Sequence, residues 1–206
     1  MKVKICGITN LEDALYCENK GVDALGFIFY EKSKRYIDYE KANEIIRQLN
    51  PFTLKVGVFV NTPVIEINNV CKHVGINIVQ LHGDETYEEY INVNIPIIKA
   101  IRIKGKNDLE NINSWKQNSI LLDTYNKELY GGSGEMFDYN LVPEIVWQKA
   151  IIAGGINQFT IDEILQREIL PAGVDISSGV ELCEGKKDYE KIDVLIRKIN
   201  ERRNKC

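Results

Sequence analysis

Short apolar runs alternate with longer polar stretches from one end of the chain to the other. The apolar runs are VKICG (3–7), ALGFIF (24–29), LKVGVFV (54–60), NIVQLH (77–82), PIIKAI (96–101), ILLDT (120–124), AIIAGG (150–155) and GVDIS (173–177). Several are nearly continuous Val, Ile and Leu, as in parallel strands covered on both faces. The polar stretches predict helices over 10–20, 38–49, 63–74, 84–92, 138–148, 158–168 and 188–203. The first opens at Asn10, a good N-cap, with acids in its first turn. The second opens at Asp38 and repeats apolar residues at Ala42, Ile45, Ile46 and Leu49, which fall on one helical face. The stretch 104–118 is polar, with Gly105 and several Asn, and predicts a loop or a short helix.

Eight strand–helix units follow one another with no linker, low-complexity tract or clean repeat, so residues 1–206 are expected to form a single domain. An open doubly wound sheet is the rival, but it usually has about five or six strands. Regular alternation through eight units instead predicts an α/β fold of the (β/α)8 TIM-barrel type. At about 26 residues per unit the barrel is compact, with a shortened or missing helix after strand five.

Composition narrows the function classes. Of 206 residues, 44% are hydrophobic and 27% charged, and the net charge is −4, so there is no basic excess to read as a nucleic-acid footprint. No apolar run approaches the roughly 20 residues needed to span a bilayer. The opening MKVKICGITN lacks the apolar core of a signal peptide, and a cytoplasmic location is expected. The cysteines, at 6, 17, 71, 183 and 206, are odd in number and make no C-x-x-C pair, which argues against a disulfide framework or a zinc knuckle. Cys17 and Cys71 read as small packing residues.

In a barrel of this kind the working residues stand at the C-terminal ends of the strands. In strand one, alternation sends Val3 and Ile5 toward the helices and Lys4 and Cys6 toward the barrel axis. A free Cys is most often a small buried packing residue. Its place at a strand end before Gly7 makes a functional role equally plausible. Strand four turns Gln80 and His82 inward, while the second histidine, His73, falls in a helix and reads as structural. Strand six ends in Asp123 after two leucines, a costly place for a carboxylate without a task, which puts catalysis ahead of capping the next loop or pairing with Lys4. Gly131–Gly134, Ala153–Asn157 and Asp175–Val180 form glycine- and serine-rich loops. Loops after strands seven and eight suit phosphate, because glycine lets backbone N–H groups approach an anion. Lys32–Tyr36, after strand two, is either a solvated basic loop or an anion clamp, for which Arg35 has the right planar fork.

Taken in order, KICGIT (4–9), DALGFIFYEKSKRYI (23–37), VGVFVN (56–61), VQLHGDE (79–85), LLDT (121–124), YGGSGEMFDY (130–139), AGGIN (153–157), GVDISSGVE (173–181) and GKKD (185–188) closely resemble the phosphoribosylanthranilate isomerase family over nearly the whole chain. Leu182-Cys183-Glu184 departs from the family, which often has Pro-Gly there, and a loop change is expected. The resemblance implies an isomerase of tryptophan biosynthesis. Its reaction is the Amadori rearrangement of N-(5-phosphoribosyl)anthranilate to 1-(o-carboxyphenylamino)-1-deoxyribulose 5-phosphate. It further implies Cys6 as general base and Asp123 as general acid. Cys6 then has to act as a thiolate, its pKa lowered with help from Lys4 one layer below. Arg35 is implied near the anthranilate carboxylate, and His82 and Asp175 in the pocket. The phosphate is implied on Gly132, Ser133, Gly155, Asn157, Ser178 and Gly179. No cofactor and no metal are implied, since no hydride or electron leaves the substrate. The expected partner is a small phosphorylated molecule rather than a nucleic acid or a membrane, with a homodimer possible. Another sugar-phosphate barrel enzyme, of the indole-glycerol-phosphate synthase or ribulose-phosphate epimerase kind, or a non-catalytic phosphate-metabolite sensor, would share the phosphate loops.

Overall fold

A computed structural model describes residues 1–124 and 137–204. Among these, β1 (Lys2–Cys6), β2 (Ala24–Ile28), β3 (Leu54–Phe59), β4 (Ile78–Leu81), β5 (Ile97–Ile103), β6 (Ser119–Thr124), β7 (Ile151–Ile152) and β8 (Gly173–Ile176) close into a barrel in sequence order. Every neighbouring pair is parallel, and β8 closes on β1 with Lys4 opposite Asp175. The period of two sorts the side chains. Val3, Ile5, Leu25, Phe27, Val79, Leu81, Leu122, Val174 and Ile176 join the large core. Ala24, Val56, Ile98, Ala100, Leu121 and Ala153 form a separate small inner cluster. Polar residues from the same strands are also buried, among them Lys4, Gln80, Asp123 and Asp175.

The outer layer is formed by α1 (Leu11–Asn19), α2 (Tyr39–Ile46), α3 (Val64–Val74), α4 (Tyr87–Tyr90), α5 (Glu144–Trp147), α6 (Ile161–Leu165) and α7 (Tyr189–Arg203). Asn10 and Asp38 cap α1 and α2 through their side chains, as their positions suggest, accepting from the backbone N–H of Asp13 and Lys41. Asp188 caps α7 in the same way. Helices α4, α5 and α6 are shorter than the hydrophobic pattern implies, while α7 spans the expected stretch. Asn92, Asn94 and Pro96 crowd the end of α4, and Pro143 stands at the start of α5. The stretch after β5 is the 3-10 helix Lys106–Trp115, in place of a full α-helix. Cys17 and Cys71 are buried packing residues. No helix among the described residues is long and apolar enough to cross a membrane.

Two details differ from the expected layout. β7 is two residues long because Gly154 and Gly155 take the left-handed region, with φ of 83° and 63°, and turn the chain out of the sheet. The hydrophobic pattern predicts no strands around residues 182–184. These residues belong to an antiparallel hairpin, β9 (Glu181–Cys183) and β10 (Lys186–Lys187), which leads into α7.

Candidate active site

A cavity opens at the C-terminal ends of the barrel strands. Cys6, Arg35, His82, Asp123, Gly155, Asp175 and Ser178 all line it, together with Gln80 and Ser177. Strand ends one, four, six and eight therefore deliver their candidate side chains to one space.

Cys6 sits at the end of β1, 6% exposed. Its carbonyl accepts from Ser177 Oγ at 3.1 Å and from Lys187 Nζ at 2.6 Å, so the residue is fastened from both β8 and β10. One layer below, Lys4 Nζ donates to both carboxylate oxygens of Asp175 at 2.9 Å. Burial works against the Lys4 charge, but Asp175 and Cys6 outweigh it and raise its pKa. Cys6 goes the opposite way from the sequence expectation. Burial is the largest influence and pushes its thiol up; Lys4 pulls it down without overcoming that, and Asp175 adds a smaller upward push. The free site therefore favours the thiol, not the thiolate.

Asp123 faces His82 across the barrel interior. Its Oδ2 lies 3.2 Å from His82 Nε2, and its Oδ1 accepts from the backbone N–H of Thr124 at 2.8 Å. On the far side of the ring, His82 Nδ1 is 2.7 Å from Gln80 Nε2. His73, by contrast, is a surface residue paired with Glu40.

Arg35 lines the cavity wall, but much of its fork is occupied. Its Nε and Nη2 donate to the Glu181 carboxylate at 2.7–3.0 Å. Glu181 also accepts from Lys187 Nζ at 2.9 Å, and Lys187 is fully buried. Burial alone drives the Glu181 carboxyl upward; Arg35 and Lys187 more than offset it and hold the group below the usual carboxylate range. Sequence reasoning passed over Glu181 and Lys187. The signal was present in GVE and GKKD, charged residues flanking a short turn, but only the hairpin brings them against Arg35 and Cys6.

The glycine loops divide. Gly155 and Ser178 line the cavity. Asn157 is not among the lining residues. Its Oδ1 accepts from the N–H groups of Phe159 and Thr160, and its Nδ2 donates to the Gly155 carbonyl, so it shapes the turn into α6. Gly179 also stands back from the cavity. It packs so tightly on the Ile156 carbonyl that a side chain would clash, which lets the loops after β7 and β8 lie together. Gly132 and Ser133 lie outside the described residues.

This chain matches the family model described as N-(5'-phosphoribosyl)anthranilate isomerase over residues 3–198. It is 43% identical to the N-(5'-phosphoribosyl)anthranilate isomerase of Thermotoga neapolitana over 202 residues, covering 96% of this chain and 98% of that one. The crystal structure of the phosphoribosyl anthranilate isomerase of Thermotoga maritima superposes with a TM-score of 0.88 at 39% identity, covering 98% and 99% of the two chains. A phosphoribosyl anthranilate isomerase in complex with reduced 1-(o-carboxyphenylamino)-1-deoxyribulose 5-phosphate gives a TM-score of 0.82 at 38% identity, with the same coverage. With one cavity holding the strand-end cysteine, histidine and carboxylates, and with the likeness running the length of the barrel, the chain belongs to the N-(5'-phosphoribosyl)anthranilate isomerase family.

Proposed function

We propose that this protein converts N-(5-phosphoribosyl)anthranilate to 1-(o-carboxyphenylamino)-1-deoxyribulose 5-phosphate, with Asp123 as general acid and Cys6 as general base. The observation that carries the reading is the convergence of Cys6 and Asp123 on one cavity, with Gly155 and Ser178 beside them. The reaction needs two proton-transfer groups. Asp123 gives a proton to the furanose ring oxygen. The C1–O bond breaks as the aniline nitrogen forms a C=N bond, leaving a cationic Schiff base. The Cys6 thiolate takes the proton from C2, the electrons of that C–H bond form the C1=C2 enolamine, and tautomerisation gives the ketone. The positive charge on the opened substrate favours the thiolate that the free site disfavours. Lys4, held by Asp175, adds fixed positive charge from below.

Arg35 reads best as the contact for the anthranilate carboxylate, and Gly155 and Ser178 as contacts for the phosphate. The binding of the reduced product analogue by a relative of the same fold supports a phosphorylated small molecule as the ligand. The test is purified protein mixed with freshly made phosphoribosylanthranilate, following loss of substrate fluorescence and identifying the product by mass. Turnover to the ketose supports the reading. Binding of the substrate without turnover marks a sensor and overturns it.

A further inference from the structure

Gln80 has no part in the acid–base scheme above, yet it is buried against the site. It is 1% exposed, and its neighbours in the strand register are Val58 on β3 and Ile98 on β5. Its Oε1 is buried with no hydrogen-bond partner among the described residues. A leucine or methionine would fill such a position without an unpaired oxygen, so an amide there points to a task for its nitrogen. Among the described residues that nitrogen has one hydrogen-bonding neighbour, His82 Nδ1 at 2.7 Å.

We propose that Gln80 is a positioning residue: by donating its amide N–H to His82 Nδ1, it places the imidazole proton on Nε2, from which it is donated to Asp123 Oδ2. An N–H facing Nδ1 leaves that nitrogen only the acceptor role, and the ring carries its proton on the other side. Asp123 then receives two N–H donors, His82 Nε2 on Oδ2 and the Thr124 backbone on Oδ1. Both strengthen as the carboxyl loses its proton, so they stabilise the carboxylate formed when the substrate ring opens. With the tautomer reversed, Nε2 presents a lone pair to that carboxylate and opposes the same step. The inference deepens the proposed function and rests on Asp123 as the acid.

The test begins with long-range proton–nitrogen correlation spectra of the wild-type protein. The chain has two histidines, so His73→Gln assigns the signals of His82. The expected result is a protonated Nε2 and a bare Nδ1; a protonated Nδ1 would overturn the proposal. Gln80→Met keeps the length and removes the donor. Gln80→Glu replaces it with an acceptor and should move the proton to Nδ1. Both should lower kcat by about tenfold or more, within the ~10²–10⁴-fold that a whole general acid supplies, with KM changed less. Wild-type kcat in a variant whose tautomer has moved contradicts the proposal, and the wild-type spectrum decides if neither variant folds. Asp123→Asn separates the two levels. Loss of turnover in Asp123→Asn but not in Gln80→Met sinks the Gln80 role alone; turnover retained in Asp123→Asn sinks the acid assignment itself.

Discussion

At the scale of single residues, the site turns on how burial and charge compete at Cys6. Burial raises the thiol pKa, Lys4 pulls it down, and Asp175 pushes it up again. Cys6 is proposed as the base, and a base works in its deprotonated form, so on that proposal a raised pKa moves the thiolate, and the activity that depends on it, to higher pH. Alkylation of Cys6 by iodoacetamide against pH, followed by mass spectrometry of its peptide, should give a midpoint above the ordinary thiol value. Asp175→Asn should lower that midpoint by removing the opposing charge, and Lys4→Met should raise it. A midpoint below the ordinary value in the wild type contradicts this balance. The inward direction of Lys4, Cys6, Gln80 and His82 was legible from strand alternation, because a period of two needs no knowledge of neighbours. The direction of the Cys6 shift was not legible, because it depends first on how deeply the closed barrel buries the thiol and then on Asp175, which reaches Lys4 only when β8 closes on β1.

At the scale of elements, the hairpin of β9 and β10 fastens the segment after β2 to the end of β1. Glu181 bridges Arg35 and Lys187, and Lys187 reaches the Cys6 carbonyl. Glu181→Ala would leave both cations uncompensated where they are now largely buried. Removing one partner from a buried ionic cluster costs on the order of 3–5 kcal/mol, so urea unfolding should show a loss of that size. Glu181→Gln keeps the shape and should cost less, while raising KM through a loosened Arg35 more than it lowers kcat. Unchanged stability in Glu181→Ala would mean the cluster is not a fastening. The hairpin was missed in the sequence because two very short strands carry no period, and its anchor residues contact partners 146 and 181 positions away. The weak stretch after strand five was read as a loop or a short helix, and it forms a 3-10 helix rather than a full α-helix, anchored through buried Trp115. Helices α4 and α5 were overestimated because apolar spacing predicts a helical face without locating the Asn and Pro residues that bound it.

At the scale of the whole molecule, the residues proposed for binding and those proposed for chemistry reach the cavity from different parts of the barrel. Arg35 approaches the cavity from the segment after β2, Gly155 and Ser178 from those after β7 and β8, and Cys6 and Asp123 from β1 and β6. The order of eight strands was readable because each unit repeats the same alternation, and the closed ring follows from that count. This separation means that a change confined to Asp123 should leave the substrate's two anionic ends held. Asparagine keeps the outline of Asp123 but has no proton to give to the ring oxygen. The most direct test of the acid–base assignment is therefore the steady-state turnover of phosphoribosylanthranilate by Asp123→Asn beside the wild type. The expected result is a kcat lower by about 10²–10⁴-fold, with KM within a few-fold of the wild type. Turnover near the wild-type rate, or a loss confined to KM, would contradict the account.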